Sequence, residues 1–179
     1  MVEPHVYADI NLSMKRNYWD YAYLLSIAGI VFCLDQGSKL MVRSYIQPGD
    51  SWMPVAGLSP YIRFVHSGNT GMAFGLLRST NGLFIALSEI ACIAILLLYP
   101  CLCRRSNVLL MGFGLGLLLG GAAGNLVDRI IVGYVTDIIL VNLLPVVNLA
   151  DISIIFGAVL IAISLFRADN QPEIMILSS

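Results

Sequence analysis

The chain has 179 residues, of which 58% are hydrophobic and 12% charged, with a formal net charge of -1 and a mean hydropathy of +0.84. A soluble domain carries roughly a quarter charged residues, so this composition excludes an ordinary soluble globule and points to a membrane protein. The basic residues are scattered rather than patched, which excludes a nucleic-acid-binding surface, and the length fits one helical bundle without a separate soluble domain.

Residues 1–18 are polar, mixed in charge and end near Lys15-Arg16; they read as an unstructured cytoplasmic tail. No cleavable signal peptide is expected, because the first apolar run continues without a small-x-small cleavage site. That run, about 19–42, is long enough for the roughly 20 residues of one membrane span. Its second half contains Asp35-Gln-Gly-Ser-Lys39, whose Asp and Lys share a helix face at i and i+4. Alone, the pair reads equally well as a membrane-edge ion pair with Lys39 snorkelling.

Residues 43–80 change character. Pro48, Gly49, Asp50, Pro54, Gly57 and Pro60 break any helix. Tyr61–Val65 alternates polar and apolar residues like a half-buried strand, and His66–Phe74 reads as a glycine-rich turn flanked by aromatics. The second span is expected at 81–103 and carries Glu89, which must face the bundle interior or find a partner. Arg104-Arg105 ends it. The third span, 108–127, repeats glycine every four residues at Gly112, Gly116, Gly120 and Gly124. Such a smooth ridge lets a neighbouring helix approach closely, so this helix is expected at the centre of the bundle, closed by Asn125, Asp128 and Arg129.

Residues 130–148 are apolar but interrupted by Gly133, Tyr134, Asp137 and Pro145, and read as an interfacial, partly strand-like segment. A fourth span at 150–166 ends at Arg167, and a tail follows over 168–179. The fold class is therefore an all-α membrane protein of four spans in a single domain, with a small extracytoplasmic strand element at 43–80 and 128–149. The four cysteines, Cys33, Cys92, Cys101 and Cys103, are expected as free thiols. Cys101 and Cys103 are too close for a usual zinc pair and the only histidines, His5 and His66, are distant in sequence, so neither metal nor cofactor is expected.

Lys15, Arg16, Arg104, Arg105 and Arg167 fall on one side of these spans. Lys39, Arg43, Arg63, Arg78 and Arg129 fall on the other, so the counts tie, but the first set clusters against helix ends and places both termini in the cytoplasm. One outer membrane level then receives Asp35, Asn69, Asn125, Asp128, Arg129, Asp137, Asn148 and Asp151, with Glu89 deeper.

What that cluster can do follows from its residue types. No serine–histidine or cysteine–histidine set is available, and Ser38 and Lys39 are adjacent on a helix, where side chains do not face each other. Two carboxylates sharing a water remain, one ionised and one protonated. Asp137, in an apolar run, is expected to have a raised pKa. Asp151, in the first turn of the last helix, is expected to stay ionised. Asn148 and Asp151 equally fit a helix capping box, so the residues alone leave dyad and cap both open.

The ordered blocks Asp35-x-x-Ser-Lys39, Asn69-Thr-Gly71-x-Ala-Phe74, Gly120-Gly-Ala-x-Gly124-Asn125-x-x-Asp128-Arg129, Val135-x-Asp137 and Asn148-Leu-Ala150-Asp151 closely resemble lipoprotein signal peptidase (signal peptidase II). The resemblance implies a four-helix bacterial inner-membrane aspartyl protease with an extracytoplasmic β-cradle. It implies cleavage just before the diacylglyceryl-modified cysteine of prolipoproteins, by a protein that works as a monomer among membrane lipids. Asp137 and Asp151 become the catalytic pair. Asp35, Lys39, Asn69, Gly71, Gly124, Asn125, Asp128, Arg129, Asn148 and Ala150 shape the site or bind substrate, with Asp128 orienting its neighbours. Val147, Thr136-Asp137-Ile138 and the slightly extended His66-Ser-Gly-Asn69 depart from the family pattern and bear on pocket shape. The competing reading is a small four-span transporter or assembly subunit using Glu89, Asp35 and Lys39 as a proton path.

Overall fold

The computed structural model describes residues 4–53, 61–70, 81–104, 108–142 and 145–169, the side chains of residues 4–17 and 104 excepted. In chain order these form α1 (Pro4–Tyr45), β1 (Ser51–Trp52), β2 (Ile62–Asn69), α2 (Asn81–Arg104), α3 (Val108–Ile131), β3 (Val135–Val141) and α4 (Leu149–Asp169). Four helical stretches, Tyr18–Tyr45, Asn81–Cys103, Val108–Ile131 and Leu149–Asp169, are long and apolar enough to cross a membrane.

Three boundaries differ from the sequence expectation. Helix α1 begins at Pro4, which corrects the unstructured tail from that residue on. Proline suits a first helical turn, and no glycine or further proline interrupts the chain before Gly29. Helix α4 runs on to Asp169, beyond the expected end of the span. Helix α3 reaches Ile131, so Asp128 and Arg129 stand in its last turns rather than in the surface segment. No breaker intervenes until Gly133, whose φ of 86° and N–H bond to the Asp128 carbonyl at 3.2 Å end the helix.

Inside a bilayer the surrounding lipid is as apolar as leucine, so close packing rather than water exclusion holds helices together. Helix α3 is central and packs on each of the other three. Its Gly112, Gly116, Gly120 and Gly124 ridge faces α1: a Cβ on Gly120 would stand 2.6 Å from the Ala28 carbonyl oxygen, and one on Gly116 would stand 2.8 Å from Ile27. A second ridge, Gly114 and Gly121, meets α4 at Gly157 and Ala150. Leu24 and Ala28 of α1, Ile95 and Tyr99 of α2, and Met111, Leu115 and Leu119 of α3 form the core between them. The Tyr99 hydroxyl donates to the Asp20 carbonyl at 2.8 Å and the Tyr21 hydroxyl to the Leu96 carbonyl at 2.9 Å, joining α1 to α2.

The contrast between ridge and surface glycines gives a test. Gly120→Ala must push α1 backbone aside and is expected to cost about 1–3 kcal/mol, read as a lower unfolding temperature in detergent. Gly82→Ala, with open space within 4 Å, is expected to leave that temperature unchanged.

Glu89 corrects an expectation. It is exposed, on the outward stripe of α2 with Ala86, Ile90 and Ile93, and does not face the bundle interior. The inward stripe of α2 is set instead by Cys92, Ile95, Tyr99 and Cys103.

The strands form one antiparallel sheet in the order β1-β2-β3. Strand β2 extends to Asn69, so the stretch expected as a turn from His66 is strand for its first four residues. The register explains how. Phe64 pairs with Ile139 and Ser67 with Asp137, so β2 carries one residue more than β3 across that step and bulges there. His66 at the bulge is anchored to the turn after α1: its Nδ1 lies 2.7 Å from the Ile46 carbonyl and its backbone N–H donates to the Asp50 carbonyl at 3.2 Å. A carbonyl only accepts, so His66 carries a proton on Nδ1. After β3 the chain doubles back, and Val147 exchanges backbone hydrogen bonds with Ile139 at 2.8 and 2.9 Å. That return delivers Asn148 to the start of α4.

Candidate active site

The polar side chains gather where α1 and α3 end, α4 begins and the sheet lies against them. Asp35 and Lys39 lie one turn apart on α1 and both are wholly buried. Burying a lone ammonium costs several kcal/mol, so it must be fully paired. Lys39 Nζ lies 2.8 Å from Asp35 Oδ2 and 3.1 Å from Asp128 Oδ2, and donates to Asn125 Oδ1 at 3.0 Å. Three acceptors satisfy its three N–H groups. Lys39 is therefore a buried junction and does not snorkel. Asp35 accepts the Ala150 backbone N–H on its other oxygen at 2.9 Å. Gly124 is required beside it, because a Cβ there would collide with the Asp35 carboxylate.

The charges are relayed outward through amides. Asn125 receives Lys39 on its oxygen and gives its Nδ2–H to Asp151 Oδ1 at 2.9 Å. Asn148 then joins the two candidate acids: its Nδ2 donates to Asp137 Oδ1 at 2.8 Å, and its backbone N–H donates to Asp151 Oδ2 at 3.2 Å. Its Oδ1 accepts the Asp151 backbone N–H at 2.9 Å. The capping box is thus present, and the same residue also grips Asp137, so cap and dyad are not alternatives. Asn69 completes the set by donating to Asp137 Oδ2 at 2.9 Å. Asn69 pairs with Val135 in the sheet, one diagonal step from Asp137 on the same face.

Burial separates the two acids. Asp137 is 2% exposed, while Asp151 is half-buried. Loss of water pushes the Asp137 carboxyl up from 3.8 to about 6. The Asn69 and Asn148 hydrogen bonds and the Lys39 charge oppose that rise, and the Asp151 charge adds to it. The folded state therefore holds the Asp137 proton more tightly than the unfolded chain. Stability from this group is present below pH 4 and lost as pH rises through about 6, amounting to at most about 3 kcal/mol. Asp137→Asn removes that loss. Thermal unfolding at pH 5 and pH 8 is expected to show a smaller pH-dependent decline for the variant than for the parent.

Arg129 closes one side of the site. Its guanidinium lies 5.2 Å from the Phe84 ring centre, donates to the Asn125 carbonyl at 3.4 Å and feels the charges of Asp151, Asp128 and Asp137. An apolar cavity of about 560 Å³ adjoins the sheet and α1, lined by Ser38, Met41, Tyr45, Trp52, Phe64 and Ile138 among others.

Asp35, Lys39, Asn69, Gly124, Asn125, Asp128, Asp137, Asn148, Ala150 and Asp151 are thus brought into one network, with Arg129 at its edge. Gly71 lies outside the described residues, as do the rest of the 71–80 stretch. Sequence reading missed Gln36, which donates to the Gly124 carbonyl at 3.0 Å and to Asp35 Oδ2 at 3.1 Å, and also Arg43 and Thr136. Arg43 follows Lys39 by one helical turn, and that spacing was the available signal. Ser38 donates to the Asp35 carbonyl of its own helix at 2.8 Å, which gives a Ser38–Lys39 pair no support. No ion pair or hydrogen bond links Glu89 to the network among the described residues, so a proton path through it has no support either.

Comparison with known proteins gives the family. Residues 27–167 match the family model described as signal peptidase (SPase) II. The chain is 40% identical over 137 residues to the lipoprotein signal peptidase of Moorella thermoacetica, covering 76% of this chain and 88% of that protein. It is 38% identical to the lipoprotein signal peptidase of Pelotomaculum thermopropionicum, covering 84% and 96%. A bacterial membrane enzyme solved by the in meso method at 2.3 Å superposes with a TM-score of 0.68 at 26% identity, covering 82% of this chain and 89% of that one. Four apolar helices, a three-stranded sheet and a buried acid–amide network therefore belong to a membrane peptidase, and the chain is a member of the signal peptidase II family.

Proposed function

We propose that this peptidase removes signal peptides from prolipoproteins by hydrolysing the bond before the diacylglyceryl-modified cysteine, with Asp137 and Asp151 activating water. The observation that carries the reading is Asn148, which holds both carboxylates at once. Asp151, fed by N–H donors from Asn125 and Asn148, acts as the base. It takes a proton as water attacks the peptide carbonyl carbon. Asp137, desolvated and holding its proton more tightly than a free carboxyl, gives that proton to the developing oxyanion, and collapse of the intermediate breaks the C–N bond with a proton passing to the leaving amine.

The remaining groups position. Asn69 and Asn148 orient Asp137, Asn125 orients Asp151, and the Asp35–Lys39–Asp128 cluster supports both. Gly71 stays a proposed substrate contact on the strength of the family pattern. Lateral entry from the bilayer suits a substrate that carries both a signal helix and acyl chains, and the apolar cavity beside α1 has the size and lining for an acyl chain.

The network stands at the opposite end of the bundle from Arg104 and Arg167. That arrangement supports a bacterial inner-membrane protein with cytoplasmic termini and an extracytoplasmic site. The test is a prolipoprotein peptide presented with and without its diacylglyceryl group. Cleavage on the amino side of the lipidated cysteine, with kcat/KM at least a hundredfold lower without lipid, is expected. Equal cleavage of both forms contradicts the proposed substrate.

A further inference from the structure

Arg43 has no part in the scheme above. Arg43 Nη1 donates to Asp128 Oδ1 and to the Thr136 hydroxyl oxygen, each at 3.0 Å. The other Asp128 oxygen accepts the Thr136 backbone N–H at 2.9 Å. Guanidinium, carboxylate, peptide N–H and hydroxyl thus close a ring joining α1, α3 and β3. Asp128 and Thr136 are almost wholly buried, so these contacts are screened far less than a surface ion pair.

Thr136 directly precedes Asp137. Neighbouring strand side chains point to opposite faces, so Thr136 is gripped from the helix side while Asp137 meets Asn69 and Asn148. Lys39 reaches Asp128 but makes no hydrogen bond to Thr136 among the described residues. Arg43 is the α1 cation that touches both the carboxylate and the strand.

We propose that Arg43 and Thr136 are positioning residues for the peptidase reaction, holding β3 against α1 and α3 so that Asp137 is presented correctly to Asp151. The inference rests on the reading of Asp137 as the catalytic acid. A shift of about 1 Å in a reacting group costs on the order of a hundredfold in rate, so a clamp one residue from the acid has room to act.

The test uses full-length protein and a diacylglyceryl-modified peptide, comparing Thr136→Val, Arg43→Met, Arg43→Lys and the Arg43→Met/Thr136→Val double variant. Thr136→Val keeps the side-chain volume and replaces the hydroxyl by a methyl group, so it is the variant least prone to misfold. It is expected to lower kcat about tenfold with KM within twofold, and to move the pH dependence of kcat/KM acidward as water reaches a loosened Asp137. The double variant is expected to be no slower than the slower single variant, and Arg43→Lys to recover part of the Arg43→Met loss. Unchanged kcat in Thr136→Val, or losses that multiply in the double variant, overturn the clamp. Asp137→Asn separates the two ideas: if it is inactive while Thr136→Val is fully active, only the clamp fails, and if Asp137→Asn is active, the dyad reading fails first.

Discussion

Asp137→Asn and Asp151→Asn are each expected to slow prolipoprotein cleavage by a factor on the order of a thousand or more, without unfolding the protein. General acid and base groups contribute about 10²–10⁴ each, and members of one catalytic unit do not add, so losing either forfeits most of the joint effect. Asparagine at 151 keeps one acceptor oxygen for Asn125 or Asn148 and its backbone N–H still donates to Asn148 Oδ1, holding the start of α4, but it takes no proton from water. Asparagine at 137 keeps the shape between Asn69 and Asn148 but has no acidic proton for the oxyanion. Initial rates on a lipidated peptide, with circular dichroism of each variant, check both halves of the expectation.

Lys39→Met is expected to be the most destabilising single change in the network. It leaves the wholly buried Asp35 carboxylate facing only the Ala150 and Gln36 N–H groups, and strips Asp128 of one of its two cations. Breaking a buried ion pair from one side costs about 3–5 kcal/mol, or roughly 10 °C in unfolding temperature at this chain length. Asp35→Asn together with Lys39→Met removes the orphaned charge and is expected to recover part of that loss. Differential scanning of the three proteins in one detergent measures it. A Lys39→Met protein as stable as the parent would show that the cluster is not paired as described.

How much of this was legible in the chain depended on whether the partners were local. Asp35 and Lys39 share a face by helix geometry, and Asn148 with Asp151 is a local capping pattern, so both appeared as spacings. The four-residue glycine ridge likewise pointed to a central α3, which the packing on α1 bears out. The second ridge went unread because its meaning lies in Gly157 and Ala150 of another helix. The sidedness of Glu89 was misjudged for a similar reason: one acid in an apolar run does not reveal which stripe of α2 the bundle covers. The β2 bulge could not be read either. A run of His, Ser, Gly and Asn looks like a turn until Asp137 and Val135 are placed opposite it. Arg43 and Thr136 stayed hidden because their contact joins the end of one helix to the start of a distant strand.

The most direct measurement of the central claim is the turnover of a diacylglyceryl-modified prolipoprotein peptide by Asp137→Asn, Asp151→Asn and Ser38→Ala, side by side, with product masses identifying the bond cut. Two carboxylates acting on water predict that both Asp variants lose at least a thousandfold while Ser38→Ala, whose hydroxyl donates to its own helix backbone and which only edges the apolar cavity, keeps kcat within about tenfold of the parent. Near-normal cleavage by either Asp variant, or loss of activity confined to Ser38→Ala, would contradict it.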